Sequence, residues 1–306
     1  MFSEHSHRYF GNGSHIDESV LRERGRMTHE NILQVDVEEW FQDAEMSRWE
    51  SFQSRVVEQV ERVLTILRDH RQTATFFVLG YVAGRFPELV SRIKEEGHEV
   101  ATHGYTHTPL TRLTPHDFEE ELSRSIEILE NITGQRVWGF RAPQFTLAEE
   151  TAWAVDILKT HGIRYDSSIF PVKTRLYGVP DAPRNPYRIS SSDIKRDDPT
   201  SNLMEFPLSV YRVPGIGTNV PVAGGFYLRL LPYSFIARAL RKINALGLPA
   251  VCYLHPWELD PAQPRSADLR WYHYYRLQSA EIKFRKLLRD FRFTSTQEWM
   301  ERRQHG

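Results

Sequence analysis

Short apolar runs alternate along the chain with stretches whose apolar positions repeat at helical spacing. Ile32-Leu33-Gln34-Val35-Asp36-Val37 reads as a buried strand that ends in acids. Val56, Val60, Val63, Leu64 and Leu67 then share one helical face. Thr75 to Leu79 is the next strand, closed by Gly80. A helix over about 86–96, with Leu89, Val90 and Ile93, stops at Gly97. His98 to Thr102 predicts a third strand. Thr114-Pro115-His116-Asp117 is a helix start, with a Thr cap, a Pro at the first position and an acid at the third. That helix is expected to run to about Asn131. Val137 to Phe140 is strand-like, 148–160 helical, and Ile163 to Tyr165 another strand. Residues 171–230 are rich in Pro, Gly, Ser and Asn and predict a loop and hairpin segment that lines a groove. Helix 233–246, strand 249–254, a long helix over about 271–290, and closing elements at 291–294 and 296–303 complete the pattern.

This alternation predicts α/β architecture. The length of 306 residues suits one α/β barrel domain, placed at 30–306. Residues 1–29 carry Gly11, Gly13 and four His without periodicity, and read as a poorly ordered extension. Met27 is a candidate start. The 39 basic and 40 acidic residues balance, which argues against a nucleic-acid partner. The lone Cys252 excludes an intrachain disulfide and sits in an apolar run, as a small buried hydrophobe would. No stretch approaches a membrane span, and the first thirty residues lack an apolar leader core, so the expected location is cytoplasmic. Nothing in the sequence sets the oligomeric state.

Five polar clusters fall at the ends of predicted strands, where an α/β barrel carries its chemistry. Asp36-Val37-Glu38-Glu39 places acids directly after a hydrophobic strand, with Asp36 and Glu38 on one face. Such acids are expensive to bury without a cation, although an acidic helix cap explains them equally well. His103 and His107 sit together if their segment makes one helical turn, and imidazole suits zinc, cobalt or nickel. A lone pair at this spacing is more often incidental. Arg141-Ala142-Pro143 fixes a guanidinium at a strand end, either to clamp a carboxylate or to form a structural ion pair. Asp166-Ser167-Ser168 reads as a site segment or as an ordinary turn. His255-Pro256-Trp257-Glu258 follows an apolar strand, where a His is either an acid or a satisfied structural residue. His98, His116, His161 and His273 have no partner pattern and are assigned to surface or core.

Together and in order, the five clusters resemble the motifs of the polysaccharide deacetylase family, the NodB-homology or carbohydrate esterase 4 group. The resemblance covers about residues 30–300. It implies a distorted (β/α) barrel of about seven strands with loop and hairpin elaborations. More narrowly, Gly224-Gly225-Phe226-Tyr227-Leu228-Arg229-Leu230-Leu231-Pro232 and His255-Pro256-Trp257-Glu258 look like the subgroup of bacterial exopolysaccharide loci tied to exosortase and PEP-CTERM systems. The resemblance implies Asp36 as the base that activates water, and Glu38, His103 and His107 as ligands of a divalent metal, zinc before cobalt or nickel. It implies that Arg141 orients Asp36, and that His255 is the acid, tuned by Asp166. Three departures stand out. Val37 separates Asp36 from the next acid, which makes Glu39 a rival ligand; Leu254 directly precedes His255; and Gln144 intervenes before Phe145.

The implied activity is metal-dependent removal of N-acetyl groups from N-acetylhexosamine units of a polysaccharide or its lipid-linked precursor. The rivals are amide hydrolysis of a small non-sugar compound, and a glycan- or metal-binding scaffold without turnover. An open trench lined by Trp257, Phe226 and Tyr227, with Phe145, favours a carbohydrate substrate.

Overall fold

The computed structural model describes residues 29–304 apart from 175, 176, 214 and 216. Residues 1–28, on which the expected extension and the start at Met27 fall, lie outside the described residues. The strands in chain order are β1 (Glu30–Val37), β2 (Thr75–Val78), β3 (Glu99–Thr102), β4 (Gly139–Phe140), β5 (Tyr165–Asp166), β6 (Tyr187–Arg188), β7 (Met204–Glu205), β8 (Val210–Arg212), β9 (Asn219–Pro221), β10 (Val251–Leu254) and β11 (Arg292–Thr294). One nine-stranded sheet runs β10-β1-β2-β3-β4-β5-β7-β6, with β11 paired to the start of β1. Every neighbouring pair from β10 to β7 is parallel, which matches the roughly seven strands expected. β6 adds an antiparallel edge, and β8 with β9 forms the hairpin expected between 171 and 230.

The central strands β1, β2 and β10 are buried on both faces along almost their whole length, as parallel strands under helices must be. The helices are α1 (Val56–His70), α2 (Gly80–Arg85), α3 (Pro87–Glu95), α4 (Pro115–Thr133), α5 (Ala154–Thr160), α6 (Phe226–Leu230), α7 (Tyr233–Asn244), α8 (Ala280–Asp290) and α9 (Thr296–Gln304). α1 turns Val56, Val60, Val63, Leu64 and Leu67 into the core. α4 starts on the expected capping box between Thr114 and Asp117 and stops at left-handed Gly134. Cys252 is buried, and burial pushes its thiol up to about 12, as fits an inert core side chain. Among the described residues no helix is long and apolar enough to cross a membrane.

The long helix expected over 271–290 does not form. Short 3-10 turns at Trp271–Tyr274 and Leu277–Ser279 precede α8, and Arg276 between them is left-handed (φ 51°). The cause is competition for backbone acceptors. The carbonyls of Tyr272, His273 and Tyr275 accept hydrogen bonds from the Arg229 guanidinium, at 3.1, 3.1 and 2.6 Å. Carbonyls turned toward a buried cation are lost to an intrahelical ladder.

The sheet ladder does not close on itself by regular strands. Irregular chain spans the gap beside β10: Ser209 N–H donates to Val251 O (3.1 Å), Gly225 N–H to Tyr253 O (3.0 Å) and Tyr253 N–H to Ala223 O (2.8 Å). This approach requires glycine at 224, where φ is +127° and a Cβ would lie 1.9 Å from Tyr253 O. Gly224→Ala is therefore expected to cost more than ~2 kcal/mol, against about 1 kcal/mol for the cap variant Thr114→Ala, in urea denaturation. Equal small losses would refute the close-approach argument.

A second expectation concerns His98. It is buried against Phe76, and burial pushes its imidazole down to about 4. Its contribution to stability is whole above the unfolded value of 6.5 and is lost as pH falls toward 4, because only the unfolded chain binds the proton readily. His98→Phe should flatten the stability profile across that window, with a relative gain at pH 5 on the order of 1–2 kcal/mol. An unchanged slope would show that His98 is not the titrating group.

Candidate metal centre and active site

The C-terminal end of β1 delivers Asp36 and, just past it, Glu38, both buried. The end of β3 delivers His103. His107 does not follow on a helical turn, as the four-residue spacing suggested. The segment is an irregular loop with Gly104 and His107 both at positive φ (76° and 58°). It is pinned by Gly80 N–H to Gly104 O (2.9 Å), Tyr81 N–H to Tyr105 O (3.0 Å) and Thr106 N–H to the Glu121 carboxylate (3.3 Å). The loop turns the His107 ring back beside His103, with ring centroids 5.3 Å apart.

Glu38, His103 and His107 are all buried, and one ligand atom from each lies within 4.8 Å of the others. Glu38 Oε2 is 2.8 Å from His107 Nε2 and 3.9 Å from His103 Nε2, yet it accepts no hydrogen bond. His103 Nδ1–H donates to Arg141 O (2.9 Å), which leaves its Nε2 lone pair facing Glu38. Burial works against the Glu38 charge, but the imidazoles of His107, His255 and His103 outweigh it and hold the carboxyl well below its usual range. Burial also drives His103 down to about 4, leaving it neutral as a ligand must be. An orphaned carboxylate oxygen beside a bare imidazole nitrogen fits a divalent cation, and one carboxylate with two imidazoles suits zinc, cobalt or nickel. The rival Glu39 is turned away, with its carboxylate accepting from Ser54 Oγ and from Arg55 N–H (3.1 Å).

Arg141 lies fully buried at the end of β4. Its Nη1 donates to Asp36 Oδ1 (2.5 Å), its Nε to Ser167 O (2.8 Å), and its Nη2 to Ser167 Oγ (3.0 Å) and to Gln34 Oε1. Asp36 is thus fixed from the side opposite His255, whose Nε2 lies 3.8 Å from Asp36 Oδ2 and 3.6 Å from Glu38 Oε1. Burial opposes the charge on His255, but Glu38, Glu258 and Asp36 raise its imidazole to about 9. Asp166 is not among those groups. It pairs instead with Glu205 across the β5–β7 register and accepts from Ser168 Oγ (2.5 Å). Burial pushes both carboxyls up, and for Glu205 the neighbouring Asp166 charge adds to the rise. The Asp166 segment serves Arg141: Ser167 receives the guanidinium, and Ser168 Oγ accepts from Ala142 N–H (2.7 Å).

The four aromatic residues expected to line a trench have different surroundings. Both faces of Trp257 are covered, by His255 (centroids 4.9 Å apart) and His273 (3.9 Å), and its Nε1–H donates to Glu38 Oε1 (3.0 Å). It supports the carboxylate rather than offering a face to a sugar. Phe145 is buried against Phe170, Tyr177 and Tyr253, and Tyr253 in turn packs on His255. Tyr227 and Phe226 are half-buried. Tyr227 OH lies 3.3 Å from Tyr177 OH, and Phe226 packs on Tyr272, Tyr275 and exposed Trp271. Sequence reasoning gave no role to Gln34, Ser167, Glu258 or Arg229. Ser167, Glu258 and Arg229 are marked only as members of the Asp166, His255 and Gly224–Pro232 segments, and Gln34 only as part of the β1 run.

Substitution of each carboxylate distinguishes the two candidate ligands. Glu38→Gln should weaken zinc or cobalt binding by more than about 100-fold, beyond the range typical of outer-shell partners, while Glu39→Gln keeps the metal. Calorimetric titration of the chelator-stripped protein reads both, and the reverse result would reassign the carboxylate.

Residues 46–165 match the family model described as Polysaccharide deacetylase, and residues 167–301 match a Domain of unknown function (DUF3473). A Helicobacter pylori peptidoglycan deacetylase is 31% identical over 110 residues, 36% of this chain and 36% of that protein. A Bradyrhizobium chitooligosaccharide deacetylase is 36% identical over 98 residues, 32% of this chain and 42% of that protein. The chain therefore spans well under half the length of these curated relatives. A Mycobacterium smegmatis crystal structure described within the polysaccharide deacetylases shares the fold, with a TM-score of 0.55 at 21% identity over 90% of this chain and 91% of that one. His103, His107 and Arg141 lie inside the stretch that matches the Polysaccharide deacetylase model, and Glu38, just before that stretch, completes the His103–His107 cluster.

Proposed function

We propose that this chain is a metal-dependent hydrolase that removes N-acetyl groups from N-acetylhexosamine units of a glycan, releasing acetate. The observation that carries the reading is the convergence of the Glu38, His103 and His107 ligand atoms with an Arg141-held Asp36 on one side and the His255 imidazole on the other. In the reaction Asp36 takes a proton from water as the water oxygen bonds to the acetyl carbon. As the carbon–nitrogen bond breaks, its electron pair stays on nitrogen, and His255 Nε2–H supplies the proton that makes the free amine. The bound cation, zinc in this reading, supplies Lewis acidity toward the acetyl carbonyl. The whole of 30–306 acts as one deacetylase domain, because both the base and the acid are needed and they come from opposite ends of it. We place its substrate in exopolysaccharide assembly, as a polymer or lipid-linked precursor met in the cytoplasm. The likeness of the His255-Pro256-Trp257-Glu258 and Gly224–Pro232 segments to the exosortase-linked subgroup supports that placement.

Acetate release from N-acetylated oligosaccharides, with zinc or cobalt added, is the direct assay. Wild type should release acetate, and Asp36→Asn should lower kcat by roughly 10²–10⁴-fold with metal content unchanged. Full metal loading without acetate release from any acetylated glycan would sink the reading. Equal rates for Asp36→Asn and wild type would remove the base, and a small-amide substrate turned over in preference to glycans would favour the non-sugar amidase.

A further inference from the structure

We infer that Glu258, anchored by Arg229, is the positioning residue for His255, and that the second half of the chain thereby supplies a complete acid arm, Arg229–Glu258–His255. The inference rests on the reading of His255 as the proton donor.

Three observations support it. First, Glu258 is the carboxylate that faces the far side of the His255 ring. Its Oε2 lies 3.6 Å from Nδ1 and accepts the His255 backbone N–H at 3.2 Å. Nδ1 is buried and has no hydrogen-bond partner within normal reach, so a closure of a few tenths of an ångström completes the contact. A carboxylate on Nδ1 fixes the ring and directs the other N–H, on Nε2, toward Asp36 and Glu38. Second, Glu258 is not free to serve elsewhere. Its Oε1 accepts from Arg229 Nε at 2.9 Å, and both side chains are almost wholly buried. Third, Arg229 is locked in turn. It spends Nη1 on three carbonyls of the 272–275 segment, and its position is fixed within α6 just after the Gly224–Gly225 seam. A buried guanidinium held by that many acceptors keeps one orientation, and it holds the Glu258 carboxylate with it. The segment is not merely a helix cap, because a cap requires only the Oε2 contact to backbone. Asp166, the residue expected in this role, is occupied with Ser168 and Glu205.

A role confined to proton delivery predicts a dependence on the leaving group. An amine must be protonated as it departs, whereas 4-nitrophenolate leaves without a proton. Wild type and Glu258→Gln are compared on an acetylated chitooligosaccharide and on 4-nitrophenyl acetate, with metal content measured. The amide-to-ester ratio of kcat should fall roughly 10- to 100-fold in Glu258→Gln, within the range of general-acid effects. KM and bound metal should hold, and Glu258→Asp should recover part of the ratio. The ratio is taken on one preparation, so partial unfolding of the variant cancels. A ratio equal to that of wild type, whether both rates fall together or neither falls, overturns the inference while leaving the proposed function standing. Wild type that cleaves the ester but no acetylated sugar overturns the proposed function, and the inference falls with it.

Discussion

The fully buried ion pair between Arg141 and Asp36 is the constraint around which the rest of the molecule is organised. A guanidinium placed where no water reaches must find an acceptor for nearly every N–H, or the folded state loses several kcal/mol. The chain meets that demand from two strands at once: Gln34 and Asp36 on β1, and Ser167 just past β5. These contacts hold the C-terminal edges of β1, β4 and β5 in one register. They also determine which Asp36 oxygen is left facing the cluster. The carboxylate cannot rotate without leaving a charge uncompensated, so orientation and stability are the same requirement here.

The ligand cluster is built by the same economy. Glu38 has one oxygen held by the Trp257 indole and the other left without a donor between two imidazoles. His103 is aimed by the Arg141 carbonyl, so the residue that holds Asp36 also orients an imidazole of the cluster. The two orientations are therefore linked through one residue, Arg141, rather than set independently. The carboxyl pair Asp166–Glu205 underlies that segment, and with Ser168 it holds the turn in place.

Much of this was legible in the sequence, and the limits have identifiable causes. The apolar periodicity located the strands and α1, α4 and α7, and the Thr114–Asp117 box fixed a helix start to the residue. The five polar clusters at strand ends named Asp36, Glu38, His103, Arg141 and His255, because strand ends in a parallel barrel converge whatever the loops do. Loop geometry was not legible. The His103–His107 spacing suggested a helical turn, but two residues at positive φ bring the rings together instead. Trp257 looked like a sugar platform because an exposed aromatic and a buried one are written identically. What hides it is His273, which arrives from a distant 3-10 turn. The broken helix at 271–279 has the same origin. Its local periodicity was sound, but a guanidinium remote in sequence took the carbonyls. Pairings of this kind leave no periodic trace.

β1 has neighbours drawn from both ends of the described chain: β2 and β11 in succession along one edge, and β10 on the other. The indole that steadies Glu38 comes from 219 residues further on. A ribosome making this protein therefore releases the acid-rich strand long before its second edge can be covered. During that interval the nascent sheet carries an open, apolar edge and a carboxylate group with neither its cation cage nor its indole finished. Long-range parallel pairing of this type is slow and exposes surface prone to association. Maturation of the site is thus a late event in the life of the chain, gated by arrival of its final quarter rather than by the helices that form first.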